Sequence, residues 1–168
     1  MNYFELFEMP VRLQVDQQEL KKRYLVLARK YHPDFFAHSG TEAQEEALER
    51  TAELNKALKT FQDADATLRY VLLLKGLMTE GEKYSLDPEF LMEVMELNEE
   101  LMDAVGEGRE AVEIKIKGLE NKTHADVAEI LENYQEGVTP PEALLRVKEY
   151  YYRKKYLDRI TGRSQDPD

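Results

Sequence analysis

Apolar residues in this chain recur at three- and four-residue intervals, with almost no strict alternation. That spacing lines one face of a helix, whereas a half-buried strand requires a period of two. No Asn-Gly or Asp-Gly hairpin signal interrupts the pattern. Helices are predicted over residues 3–8, 16–31, 41–61, 65–76, 87–105, 109–136 and 140–160. Asp16 with Glu19, Thr41 with Gln44, and Thr139 with Glu142 have capping-box spacing, in which two side chains satisfy the free N–H groups of a helix start. Asp87 followed by Pro88 is an N-cap with proline at the first helical position. Glycines 76, 81, 106, 108, 137 and 162 fall near predicted helix ends, while Gly118, Thr123 and His124 disturb the 109–136 segment. The predicted fold is all-α.

Within 16–31, a turn of about 100° per residue brings Leu20, Tyr24, Leu27, Ala28 and Tyr31 to one face. Lys22, Arg23, Arg29 and Lys30 gather on the other, around Val26. Segment 41–61 aligns Ala47, Thr51, Leu54, Leu58 and Phe61. Two such stripes facing each other predict an antiparallel helical hairpin with residues 32–40 at its tip. About ten buried apolar side chains, at about 1.5–3 kcal/mol each, suffice for a small module once chain entropy is subtracted. Pro33 stops the first helix, because it disfavours the α conformation at His32 and has no N–H to donate. The triplet His32-Pro33-Asp34 is thereby displayed beside a cationic helix face.

Charge narrows the partner of that face. The chain carries a net −11 over 168 residues; residues 1–80 hold 11 basic against 13 acidic residues, and residues 81–168 hold 12 against 21. A field of this sign opposes nucleic-acid binding, which requires clustered cations to neutralise phosphates. The basic patch therefore suits an acidic protein surface. No apolar run approaches the length of a membrane span, and the acidic start MNYFELFEMP lacks a signal-peptide pattern, so no membrane association and a bacterial cytoplasmic location are expected. The absence of cysteine removes Cys-ligated zinc or iron–sulfur centres of the chain's own, and no cofactor is expected.

Segment 87–105 carries more apolar surface than one packing seam requires. Phe90, Val94, Leu97 and Leu101 share one stripe; Leu91, Met92, Met95 and Met102 form a second, bordered by Glu96, Glu99 and Asp103. The second stripe has two readings. Both stripes can be buried between neighbouring helices, or the Met-rich one can be a binding patch, since Met adapts to irregular surfaces and a carboxylate rim selects a cationic partner.

Residues 1–75 resemble a J-domain, the module that activates DnaK-type chaperones, through YFELF, KKRYLVLARKYHPD and ELNKALKTFQDADATLRYVLLL. The resemblance implies that His32, Pro33 and Asp34 engage the chaperone, with Lys22, Arg23, Arg29 and Lys30 supplying electrostatic contact. Many J-domains carry lysine after the triplet; this chain has Phe35. Together with DPEFLMEVMELNEEL and KKYLDRI, nearly the whole chain is similar to the HscB family, J-proteins dedicated to iron–sulfur cluster assembly. That family joins a J-domain to a C-terminal three-helix bundle in an L-shaped molecule. The implied organisation is a J-domain over 1–76, a linker over 77–86, a scaffold-binding domain over 87–161 and a flexible tail over 162–168. The implied function is stimulation of a DnaK/HscA-type ATPase and delivery of an IscU-type cluster scaffold to it. Leu91, Met92, Met95, Glu96, Glu99 and Asp103, joined by Tyr156, would form the scaffold face; the family often has a basic residue where Asn98 stands.

Other classes fit less well. No glycine-rich phosphate loop, nucleophile elbow or HExxH motif supports an enzyme. His32, Asp34 and His38 share a loop, yet three such residues without supporting partners make a poor metal site. The alternative is a general J-protein serving other clients, although the Gly/Phe-rich linkers or zinc-binding Cys pairs common there are missing.

Overall fold

A computed structural model describes residues 1–162 and divides the chain into two compact units. One is Met1–Leu74 with Tyr134–Thr139; the other is Lys75–Asn133 with the residues from Pro140 onward. All regular structure among the described residues is helical, as the apolar spacing predicts. The elements are α1 (Tyr3–Leu6), α2 (Gln17–Lys30), a 3₁₀ turn (Pro33–Phe36), α3 (Thr41–Gln62), α4 (Ala64–Leu74), α5 (Pro88–Asp103), α6 (Glu107–Ala125), α7 (Ala128–Asn133) and α8 (Pro141–Ile160).

In the first unit α2 and α3 form the expected hairpin, and α1 and α4 pack on α3. Leu20 and Leu27 of α2, seven residues apart, face Ala47, Leu54, Ala57 and Phe61 of α3 in the core. Phe61 is the hub of an aromatic cluster. The rings of Phe4 and Phe7 lie 4.8 Å and 5.6 Å from it, and Tyr3 stacks on Tyr70 at 4.5 Å with planes 2° apart. The Tyr70 hydroxyl also accepts the Tyr3 N–H (2.9 Å), and burial raises its pKa. Asp63 separates α3 from α4: its backbone is extended (φ −108°, ψ 123°), and its carboxylate accepts the Ala66 N–H at 2.8 Å.

The predicted helix starts divide. Asp16 and Asp87 cap as expected, accepting the N–H groups of Glu19 and Glu89. Glu19 does not return the bond, because Arg12 and Arg23 hold its carboxylate. Thr41 and Thr139 are not caps. Gly40, at φ 96°, is the N-cap of α3, and Gln44 turns to the Ala37 carbonyl (2.6 Å). Pro140 occupies the N-cap of α8, and the Thr139 hydroxyl accepts the Gln135 N–H instead (2.9 Å). A capping box also opens α1. Asn2 accepts the Glu5 N–H at 2.9 Å while Glu5 accepts the Asn2 N–H at 3.2 Å.

In the second unit α5, α6 and α8 form a three-helix bundle around Phe90, Val94, Leu97, Val112, Ile116, Leu119 and Leu157. The predicted helix 109–136 is two helices. Gly118 lies inside an unbroken α6, and the interruption comes at Asp126–Val127. There Val127 N–H bonds back only three residues, to His124 (3.0 Å), Val127 is buried, and the Arg146 guanidinium takes the Asp126 carbonyl (2.6 Å). A side chain from α8 thus satisfies a carbonyl that a continuing helix would have used.

Residues 77–86 also belong to the second unit, and several of them pack on α8. Glu82 pairs with Lys148 (3.0 Å) and accepts the Tyr152 hydroxyl (2.9 Å), bonds that hold its carboxyl below the usual range. Tyr84 stacks on Tyr152 and donates to Glu149. Gly162 is exposed at the end of α8; the rest of the expected tail lies outside the described residues.

Candidate functional site

Two surfaces concentrate the residues singled out from the sequence. The first is the loop between α2 and α3. His32 is extended (φ −61°, ψ 127°) ahead of Pro33, the conformation that a following proline imposes. Its Nδ1 accepts the Asp34 N–H (3.3 Å) and lies 3.6 Å from Asp34 Oδ2, and the Phe35 N–H donates to the His32 carbonyl (3.1 Å). The triplet is therefore a structured turn with the His32 and Asp34 side chains exposed. Phe36 is half-buried, whereas Phe35 is 71% exposed with its ring edge-on to His32 at 6.2 Å.

Lys22, Arg29 and Lys30 are exposed on the outer side of α2, around exposed Val26. Arg29 and Lys30 also occupy the last turn, where cations complement the helix dipole. Arg23 departs from the expectation that grouped it with them. Its guanidinium bonds Glu19 (3.0 Å) and the carbonyls of Phe7 (3.2 Å) and Glu8 (2.8 Å). Glu8 has φ 56°, in the left-handed region, so Arg23 clamps a turn that carries backbone strain. Hydrogen bonding by Arg12, then by Arg23, lowers the Glu19 pKa and completes this cluster. The sequence places Arg23 on the polar side of α2, but only the fold shows that the α1 turn covers it.

The second surface is on α5 and α8. Phe90, Val94 and Leu97 are buried, whereas Met92 and Met95 are 61% and 51% exposed. The reading that buries both apolar stripes is thus overturned, because no neighbouring helix of the bundle covers the Met side. Glu96, Glu99 and Asp103 are exposed on the same helix. Leu91 is half-buried and lines, with Tyr156 and parts of the 82–86 segment, a cleft of about 640 Å³. Arg153 lies over the Phe90 ring (4.6 Å) and Arg159 over Tyr156 (5.6 Å), so cations on α8 hold the aromatic wall in place. Met102, on the same stripe but outside the expected face, is 76% exposed, and its sulfur receives the Asn98 amide at 3.8 Å.

Tyr150 and Tyr151 are buried in packing, and exposed His124 contacts the edge of Tyr150 at 6.0 Å. Among the described residues no three His, Asp or Glu side chains gather as a metal site requires. Among the same residues no helix is long and apolar enough to cross a membrane.

Comparison with known proteins gives two adjoining family matches. Residues 2–70 match the DnaJ domain, and residues 86–163 match the HSCB C-terminal oligomerisation domain. A co-chaperone protein HscB homolog of Vibrio cholerae is 39% identical over 102 residues, 60% of each chain. One from Colwellia psychrerythraea is 38% identical over 104 residues, covering 61% of this chain and 59% of its own. The matched segment thus spans about 60% of these curated relatives. Among solved structures, chaperone HscB from Vibrio cholerae superposes with a TM-score of 0.69 at 27% identity, covering 96% of this chain and 94% of its own. Human co-chaperone protein HscB gives 0.74 at 27% identity, covering 96% of this chain and 79% of its own.

Proposed function

We propose that this chain, which belongs to the HscB-type J-domain co-chaperone family, is a non-enzymatic co-chaperone of iron–sulfur cluster assembly in the bacterial cytoplasm. Its first unit stimulates ATP hydrolysis by a DnaK/HscA-type chaperone, and its second carries an IscU-type cluster scaffold to that chaperone. The observation that carries this reading is the exposed His32-Pro33-Asp34 turn beside Lys22, Arg29 and Lys30. An exposed imidazole and carboxylate on a proline-stiffened turn lose little entropy when a partner binds them. The adjacent cations speed encounter with an acidic surface.

The exposed Met92 and Met95, with the carboxylates of Glu96, Glu99 and Asp103 and the cleft shared by Leu91 and Tyr156, support the second half. An apolar centre with a charged rim is the usual anatomy of a protein interface. The acidic rim suits a scaffold whose docking surface is basic.

ATP turnover by a purified DnaK-type chaperone, measured with and without the intact chain, tests the proposal. Stimulation that His32→Gln abolishes without altering the chain's thermal melt is expected. No stimulation of any cognate chaperone would overturn it. For the scaffold, co-sedimentation or titration calorimetry should give a complex that persists in the His32→Gln variant.

A further inference from the structure

The geometry points to Phe35 as a specificity-determining contact for the chaperone: an apolar anchor that binds a hydrophobic pocket beside the site taking His32 and Asp34, on a partner whose surface opposite α2 carries carboxylates. This inference rests on the function proposed above. Large apolar side chains are normally withdrawn from a polar turn, and the next residue, Phe36, is half-buried. Phe35 instead stands 71% exposed. Nor is it loosely hung. Its N–H is bonded to the His32 carbonyl at 3.1 Å, and its ring meets the His32 ring edge-to-face, at 6.2 Å and 80°. The two rings therefore form one composite edge, so a partner that engages the imidazole also meets the phenyl ring.

Exposed aromatics are common anchors of interfaces, because they bury much area for little lost entropy. The outer side of α2 specifies the partner surface next to that pocket. Lys22, Arg29 and Lys30 require carboxylates on the partner, and exposed Val26 among them extends the apolar contact along α2. A chaperone with a polar surface opposite Phe35 would have to bury the ring against unpaired groups, which selects against it.

The test titrates the purified chaperone with the intact chain and with F35A, F35L and F35K, at low and at high salt. F35A should raise the concentration giving half-maximal stimulation by about tenfold. F35L should recover most of that loss by keeping apolar contact, and all variants should melt as the wild type does, since the side chain is exposed. F35K should stimulate well only at low salt, because a charge contact is screened and an apolar one is not. F35A within twofold of wild type at both salts would overturn the inference while leaving the co-chaperone function standing. A wild-type chain without any stimulation would overturn that function, and this inference with it.

Discussion

Tyr84 lies flat on Tyr152, with ring centroids 4.5 Å apart and planes 3° from parallel. The pair fastens the stretch before α5 to α8, with polar contacts on either side. Lys148 and Tyr152 bind Glu82, and Tyr84 reaches Glu149. Residues 77–86, the linker of the implied organisation, are thus anchored to the bundle at Glu82 and Tyr84.

That anchoring has a pH signature. Glu82 has a pKa lowered from 4.5 by its bonds to Lys148 and Tyr152. Its stabilising contribution is therefore complete above pH 4.5 and disappears as pH falls through the lower folded value. Tyr84 is displaced the other way, from 10.0 to about 12, by burial and by Glu149. Its contribution is complete below pH 10.0 and is lost as pH rises through about 12. Melting temperatures measured across pH should fall at both ends. Glu82→Gln should flatten the acid limb and Tyr84→Phe the alkaline one. Unchanged limbs in both variants would show that the segment contributes nothing to stability.

Arg23 and Lys22 are adjacent in sequence but differ in their contacts. Arg23→Ala removes bonds to Glu19 and to two carbonyls of the strained α1 turn, and should cost about 1–2 kcal/mol in denaturant unfolding of the first unit. Lys22→Ala should leave that unfolding unchanged and weaken chaperone stimulation mainly at low salt. Equal melting of the two variants would contradict the clamp.

On α5 the two apolar stripes should separate cleanly. Met92→Ala with Met95→Ala should keep the bundle's melting temperature and weaken scaffold binding by more than about tenfold. Val94→Ala, at a fully buried position, should destabilise the bundle by roughly 2 kcal/mol. Circular-dichroism melts together with scaffold titration distinguish the outcomes. If the double Met variant unfolds, the exposed stripe is needed for folding after all.

The capping box at the first helix gives a smaller effect. Asn2→Ala should cost about 1 kcal/mol in the first unit's unfolding free energy, and Asn2→Asp should be nearly neutral. Loss from both substitutions would point to a requirement for the amide nitrogen rather than the capping oxygen.

Local and periodic features of this fold are legible in the sequence. Leu20 and Leu27 on α2, and Leu54 and Phe61 on α3, read as two core stripes because helical spacing alone brings each pair to one face of its helix. Pro33 marked the end of α2, and Asp87-Pro88 the start of α5, because both act within a few residues of chain. The His32-Pro33-Asp34 loop was legible for the same reason.

The remaining features depend on contacts made across the fold. Periodicity gave α5 two apolar stripes and left open whether the Met-rich one is covered as well; packing buries Val94 and leaves Met92 and Met95 exposed. Arg23 looked like Lys22 until the Phe7–Glu8 turn closed over its guanidinium. The helix break at Asp126 had no breaker in sequence, since the group that stabilises it, Arg146, lies 20 residues on. Spacing encodes which residues share a face, but a face acquires its role only when another part of the chain covers it or leaves it exposed.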